Sequence, residues 1–139
     1  MKTITRSILF VSIAALLSLS SCKDDDDPST KSKTDLLTQN TWKYKGVLPA
    51  NDLNAQFLGI LYKDSEYTFK KDKTYSSILF TIPITGKWEF AEDETQLILD
   101  KGEQEELTFK VKTLDDSNLE LTSIDSNQTT AITLQFVKK

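Results

Sequence analysis

From position 41 to 137, apolar side chains recur at every second position over short runs, each closed by Asp, Asn, Gly, Ser, Lys or Pro. A two-residue period puts successive side chains on opposite faces of an extended chain, so the pattern predicts strands with one buried face. Eight runs carry it. Run 41–47 sets Trp42 and Tyr44 on one face, 66–70 sets Tyr67 and Phe69, and 74–82 sets Ile78, Phe80 and Ile82 before Pro83 ends it. Run 85–91 follows with Trp88 and Phe90, 95–100 with Leu97 and Leu99, and 105–114 with Leu107, Phe109 and Val111. Runs 118–124 and 131–137 close the set with Leu119 and Leu121, then Ile132, Leu134 and Phe136. Turn residues at 71–73, 92–94, 101–104 and 115–117 join neighbouring runs. The expectation is an all-β domain over 35–139: eight antiparallel strands in an up-and-down barrel, which removes exposed sheet edges by closing on itself.

One stretch breaks the period. Between Pro49 and Tyr62, the residues Leu53, Phe57, Ile60 and Leu61 fall at helical spacing, with Asn51 or Asp52 placed to cap. Two readings are open: one short amphipathic helix whose apolar face covers the barrel end, or an irregular loop with a few docked side chains. Gly59 weighs against the helix.

Upstream, Lys2 and Arg6 precede an apolar run from Ile8 to Leu19 and then Ser20, Ser21 and Cys22, the three parts of a secretory leader over 1–21. Twelve apolar residues are too few to span about 30 Å of hydrocarbon as a helix. Leu19-Ser20-Ser21-Cys22 resembles the lipobox of bacterial lipoproteins, which implies a diacylglyceryl thioether on Cys22, cleavage before it, and further acylation with a fatty acid such as palmitate. Cys22 is the only cysteine, so no internal disulfide competes for it. Lys23, Asp24, Asp25, Asp26 and Asp27 resemble the surface-export signal of Bacteroidota lipoproteins; the other reading of this run is a solvated acidic linker. Residues 22–34 carry no apolar side chain able to join a core beyond that cysteine, and form a tether of roughly 20 Å mean span. These resemblances imply an outer-membrane, lipid-anchored protein facing the cell exterior.

The domain in turn resembles the lipocalin-like domains of Bacteroidota lipoproteins, through Leu36-Leu37 leading to Trp42, Tyr67-Thr68-Phe69 with a Lys-Asp turn and Thr74-Tyr75, Gly86-Lys87-Trp88, and the Leu97-Ile98-Leu99 and Leu119-Glu120-Leu121 strands. It departs at Asn40, where glycine is favoured, and at Lys73, which stands at the family's turn glycine. The resemblance supplies no catalytic residue.

Composition narrows the function. The chain has no histidine, which removes Ser-His and Cys-His dyads and imidazole metal sites. Carboxylate pairs sit in turns, where solvation accounts for them, so the expectation is a non-catalytic protein without metal or cofactor. Loss of Lys2 and Arg6 with the leader leaves 15 of the 17 basic residues against 21 acidic ones, a net charge of −6 that disfavours nucleic acid and anionic lipid. Two functions survive: an interaction module that meets a surface protein or glycan, and a carrier of a small hydrophobic ligand. The inward aromatics Trp42, Tyr44, Tyr67, Phe69, Phe80, Trp88, Phe90, Phe109 and Phe136 serve as core in the first and as core or ligand lining in the second. An eight-stranded barrel is just wide enough for either, and so many large rings favour the filled interior.

Overall fold

The structure is a computed structural model, and it describes residues 31–91, 93–124 and 130–139. Eight antiparallel strands close into one barrel in which each pairs with its neighbours in the chain and the last returns to the first. They are β1 (Thr41–Leu48), β2 (Glu66–Phe69), β3 (Thr74–Leu79), β4 (Ile82–Phe90), β5 (Gln96–Leu99), β6 (Leu107–Leu114), β7 (Asn118–Ser123) and β8 (Thr133–Lys138). Closure pairs Trp42 with Lys138 and Leu48 with Thr133. Bulges between Tyr44 and Gly46 and between Val111 and Thr113 add one residue to β1 and β6, which re-aims the side chains beyond them. Thus Val47 and Leu114 pack against the core although they are out of step with Tyr44 and Val111.

Among the described residues, two helices accompany the barrel: α1 (Lys33–Thr38) and α2 (Leu53–Leu61). The first begins inside the stretch expected to be tether. Ser32 caps it by accepting from the Asp35 amide, and Leu37, fully buried, plugs the barrel end where the chain enters. The signal for α1 is short, because a six-residue helix offers one apolar stripe of two leucines and little periodicity.

The expected third run, 74–82, is instead a hairpin. β3 ends at Leu79, Phe80 and Thr81 form the turn with φ of 51° and 69°, and Pro83 sits inside β4 opposite Ile78. Proline is tolerated there because β4 pairs with β5 only through Trp88, Glu89 and Phe90, which leaves the first half of β4 an edge. Phe-Thr carries no turn signal in the sequence, because it lacks the Asn-Gly chemistry that two left-handed residues favour.

α2 forms where the helical reading put it, with Asp52 accepting from the amides of Asn54 and Ala55. Its orientation is the reverse of the one expected. Ala55 is buried, Leu58 packs on the core, and Gly59 lies against β1, where an added Cβ would come within 3.3 Å of the Tyr44 hydroxyl and of Val47. Leu53, Phe57 and Ile60 point away from the barrel, 81, 63 and 67 % exposed. Small residues allow the close approach, and the bulky stripe is then left outside.

Candidate functional site

The two barrel ends differ in chemistry. At the entry end the β2–β3, β4–β5 and β6–β7 turns share an Asp-x-Thr or Asp-x-Ser pattern. Asp72 accepts from the amide and hydroxyl of Thr74, Asp93 does the same with Thr95, and Asp115 accepts from the amides of Ser117 and Asn118. These bonds hold the three carboxyls below their usual range, led by the Thr74 hydroxyl, the Thr95 hydroxyl and the Ser117 amide respectively. Ion pairs cross the same end: Lys31 with Asp116, and Lys71 with Asp35 at 2.6 Å.

Both tryptophans are anchored here. The Trp42 indole donates to the Leu37 carbonyl at 2.9 Å, using one of the free carbonyls at the end of α1. Trp88 donates to the Lys70 carbonyl at 3.0 Å, and the Lys73 ammonium lies 4.1 Å from its ring centroid. Lys73 adopts φ of 67°, the left-handed geometry that glycine favours. Its backbone therefore keeps the turn while its side chain covers the indole.

Four tyrosines run through the interior from the opposite end toward the entry end. Tyr44, Tyr62, Tyr67 and Tyr75 form a chain of ring contacts at 6.3, 6.5 and 6.2 Å between centroids. It ends where the Tyr75 hydroxyl donates to Asp100 at 2.7 Å. Burial pushes all four phenols above their ordinary range, and the Asp100 carboxylate adds to the effect at Tyr75. Asp100 also accepts from the Lys87 amide at 2.8 Å. Gly86 makes that geometry fit, because a Cβ on it would lie 2.2 Å from an Asp100 oxygen and 2.6 Å from the Tyr75 ring.

Between the ends the interior is filled. The void enclosed by Tyr62, Tyr67, Phe69, Leu99, Phe109, Leu119, Leu121, Leu134 and Phe136 measures about 10 Å³, the space of a single water. A shallow groove of about 380 Å³ opens beside it, lined by Leu58, Tyr62, Leu107, Phe109, Ile124 and Ile132 among others.

Of the residues the sequence nominated, Trp42, Tyr67, Phe69, Trp88, Phe109 and Phe136 are buried in one core, with Tyr44 and Phe90 half-buried against it. Phe80 is a correction: it lies at the hairpin tip, 52 % exposed, and lines nothing inside. Its neighbours Ile78 and Ile82 are likewise exposed, because the β3–β4 ribbon runs past the end of β5 and has no interior beside it. Leu107, expected on the inward face, is also exposed at the first position of β6. Cys22, Lys23, Asp24, Asp25, Asp26 and Asp27 lie outside the described residues.

These corrections converge on one place. The exposed large apolar side chains among the described residues are Leu48, Leu53, Phe57, Ile60, Ile78, Phe80, Ile82, Leu107 and Ile124. By strand direction every one belongs to the end where β1, β3, β5 and β7 finish, opposite the entry of the chain. Periodicity found many of these residues and assigned them inward. What it lacked was the length of each strand relative to its neighbours.

No family model matches the chain, and no curated protein matches it. Among solved structures it is similar to the crystal structure of a DUF4847 family protein from Bacteroides vulgatus, with 13 % identity over 78 % of this chain and 98 % of that one, at a TM-score of 0.54. A protein from Bacteroides uniformis solved by NMR aligns over 76 % of this chain and 90 % of its own, with 19 % identity and a TM-score of 0.48. The likeness to the first of these is one of fold.

Proposed function

We propose that this chain is a surface lipoprotein of the bacterial outer membrane, anchored through lipid on Cys22, whose lipocalin-like barrel is non-catalytic and acts as an interaction module through its apolar end. One observation carries the reading: the exposed large apolar side chains gather at the end opposite Lys31, where the tether joins. Exposed apolar residues scattered singly are ordinary, whereas a contiguous patch marks a contact site. The interior supports the same reading, since a void of about 10 Å³ is far below the roughly 300 Å³ at which small-molecule pockets begin.

The groove under α2 favours a second reading, a carrier that holds a small apolar molecule between Leu58, Leu107, Phe109 and Ile124. One experiment separates them. The chain is expressed in a Bacteroidota host with labelled fatty acid, purified without denaturation and weighed by native mass spectrometry. An interaction module carries the acyl mass, loses it in Cys22→Ala, and holds nothing further. A stoichiometric small molecule that leaves when Phe109 is replaced by Ala would establish the carrier, and label retained in Cys22→Ala would refute the anchor.

A further inference from the structure

We infer that the tip of the β3–β4 hairpin, Leu79 to Ile82 with Ile78 at its base, dips into a neutral lipid surface, the bilayer that carries the anchor at Cys22. The inference deepens the proposed contact role by naming the partner, and rests on that reading for the anchor. The tip is apolar on both sides. Cross-strand partners share a face and successive residues alternate, so Ile78 lies with Pro83 on one face of the ribbon and Leu79 with Ile82 on the other. Ile78, Phe80 and Ile82 are 46, 52 and 61 % exposed. They fall within five consecutive residues, so the chain itself holds them in one patch. A protein surface laid against a two-stranded ribbon covers one face, whereas a fluid surrounds both.

The charge pattern favours the same occupant. From Thr74 to Gly86 there is no Asp, Glu, Lys or Arg, thirteen consecutive residues in a chain of which 27 % are charged. Charged side chains are the costliest to bring into hydrocarbon, whereas a protein partner pairs them at the rim. Glu66, opposite Ile78, is held by Lys139 at 2.8 Å, and Asp100 lies against Gly86; Leu79 to Ile82 extend past both. The backbone suits lipid too. Trp88 donates to Lys73 and Lys87 to Asp100, so the odd-numbered positions of β4 direct their amides to the edge that β5 leaves open. Pro83 presents no donor on that edge, where lipid supplies no acceptor. Phe80 and Thr81 hold φ of 51° and 69° without glycine or asparagine, and backbone strain kept at an exposed tip points to function.

The tether reaches far enough. Its nine residues from Cys22 to Thr30 extend at most about 30 Å, and the nine of β4 span about the same length. Lys31, bonded to Asp116, fixes the start of the tether at the entry end, so a barrel lying on its side sets the tip on the surface. A short flexible tether also raises the effective concentration of lipid at the tip, which keeps in contact a patch too small to bind by itself. The acidic balance of the domain selects neutral over anionic headgroups. The apolar run from Ile8 to Leu19 leaves with the leader in the same reading, and a single segment covers one face of the ribbon in any case.

Cys22 is the only cysteine, so the chain 22–139, which holds every described residue, can be coupled through that thiol to a maleimide phospholipid in phosphatidylcholine vesicles. The probe is the indole introduced by Phe80→Trp, read against phosphatidylcholine brominated in its acyl chains. Insertion to about 5–10 Å brings that indole to the bromines, and its emission should fall by about half. Ile78→Trp and Ile82→Trp, on opposite faces of the ribbon, should be quenched as well, and Lys110→Trp on the barrel wall should not. Trp42 and Trp88, buried at the entry end, supply an unquenched background. All four substituted positions are exposed, so urea midpoints should match the parent. An indole at position 80 quenched no more than one at 110 would overturn the inference. Quenching on one face of the ribbon alone would overturn it in favour of a one-sided partner. So would an indole at 80 that grows shielded from acrylamide as protein concentration rises without vesicles, which would assign the tip to a second copy. The anchor here is made chemically, so a native chain without acyl mass refutes the lipoprotein reading and leaves this result standing.

Discussion

The entry end and the apolar end of this barrel are built from the same kind of strand but solve the turn differently. At the entry end each turn uses an Asp two residues before a Thr or Ser, and the left-handed position between them falls to Lys73 in one turn and Glu94 in another. The carboxylate there replaces the backbone bonds that the turn removes. At the apolar end the β3–β4 turn has no such partner: Phe80 and Thr81 both take positive φ with neither a glycine nor an Asp to ease it. A bulky and a β-branched residue in that region are conformational outliers. Their side chains, with the outer stripe of α2, are the ones left in water. The entry end thus satisfies its turns locally, while the other end combines two strained backbone positions with exposed apolar side chains.

Three substitutions probe that contrast. The largest effect belongs to the buried side. Trp88→Ala should destabilise the domain by about 3–5 kcal/mol in urea titrations, since it empties a large core volume, removes the indole hydrogen bond to the Lys70 carbonyl and takes away the ring under the Lys73 ammonium. Phe57→Ala, measured on dilute chain, should cost under about 0.5 kcal/mol. Comparable losses at the two would show that α2 buries its outer stripe in solution and that the ends do not differ as described.

The next effect lies where the two treatments meet. Gly86→Ala places a Cβ on Asp100 and Tyr75, so it should cost about 1–3 kcal/mol and loosen the Tyr75–Asp100 bond. A tyrosine fluorescence or hydrogen-exchange change confined to the strands around Tyr75 and Asp100 would locate the damage there. No loss of stability would mean that Asp100 moves freely and does not brace Tyr75.

The smallest effect is a gain. Phe80→Asn combined with Thr81→Gly supplies the residues that two successive left-handed positions favour, and should stabilise the barrel by about 1–2 kcal/mol in thermal or urea unfolding. If stability falls instead, packing at the tip is holding the turn, and the picture of an end relaxed for contact is wrong.

How much of this could be read beforehand depends on the range of the interaction involved. Leu97 and Leu99, Leu119 and Leu121, Leu134 and Phe136 were legible because a strand buried on one face writes its period into adjacent residues. The capping Asp52 and the α2 segment were legible for the same local reason. The site was less legible. Ile78, Phe80 and Ile82 alternate as well as any core strand does, and Leu53, Phe57 and Ile60 make a respectable helical stripe. Apolar side chains left exposed obey the same periodicity as those in the core, so the pattern reports an apolar face without reporting whether the fold covers it.

The number of strands, their antiparallel order and most of the aromatic interior follow from local periodicity and short turns, and so were written in the chain. Tertiary structure alone decided which end each apolar run would serve. That outcome depends on β5 stopping at Leu99 while β4 begins at Ile82, on Gly59 letting α2 settle with its small side inward, and on α1 closing the other end with Leu37. Each is a contact between segments distant in the chain, and its free energy comes from packing that exists only once the barrel has closed.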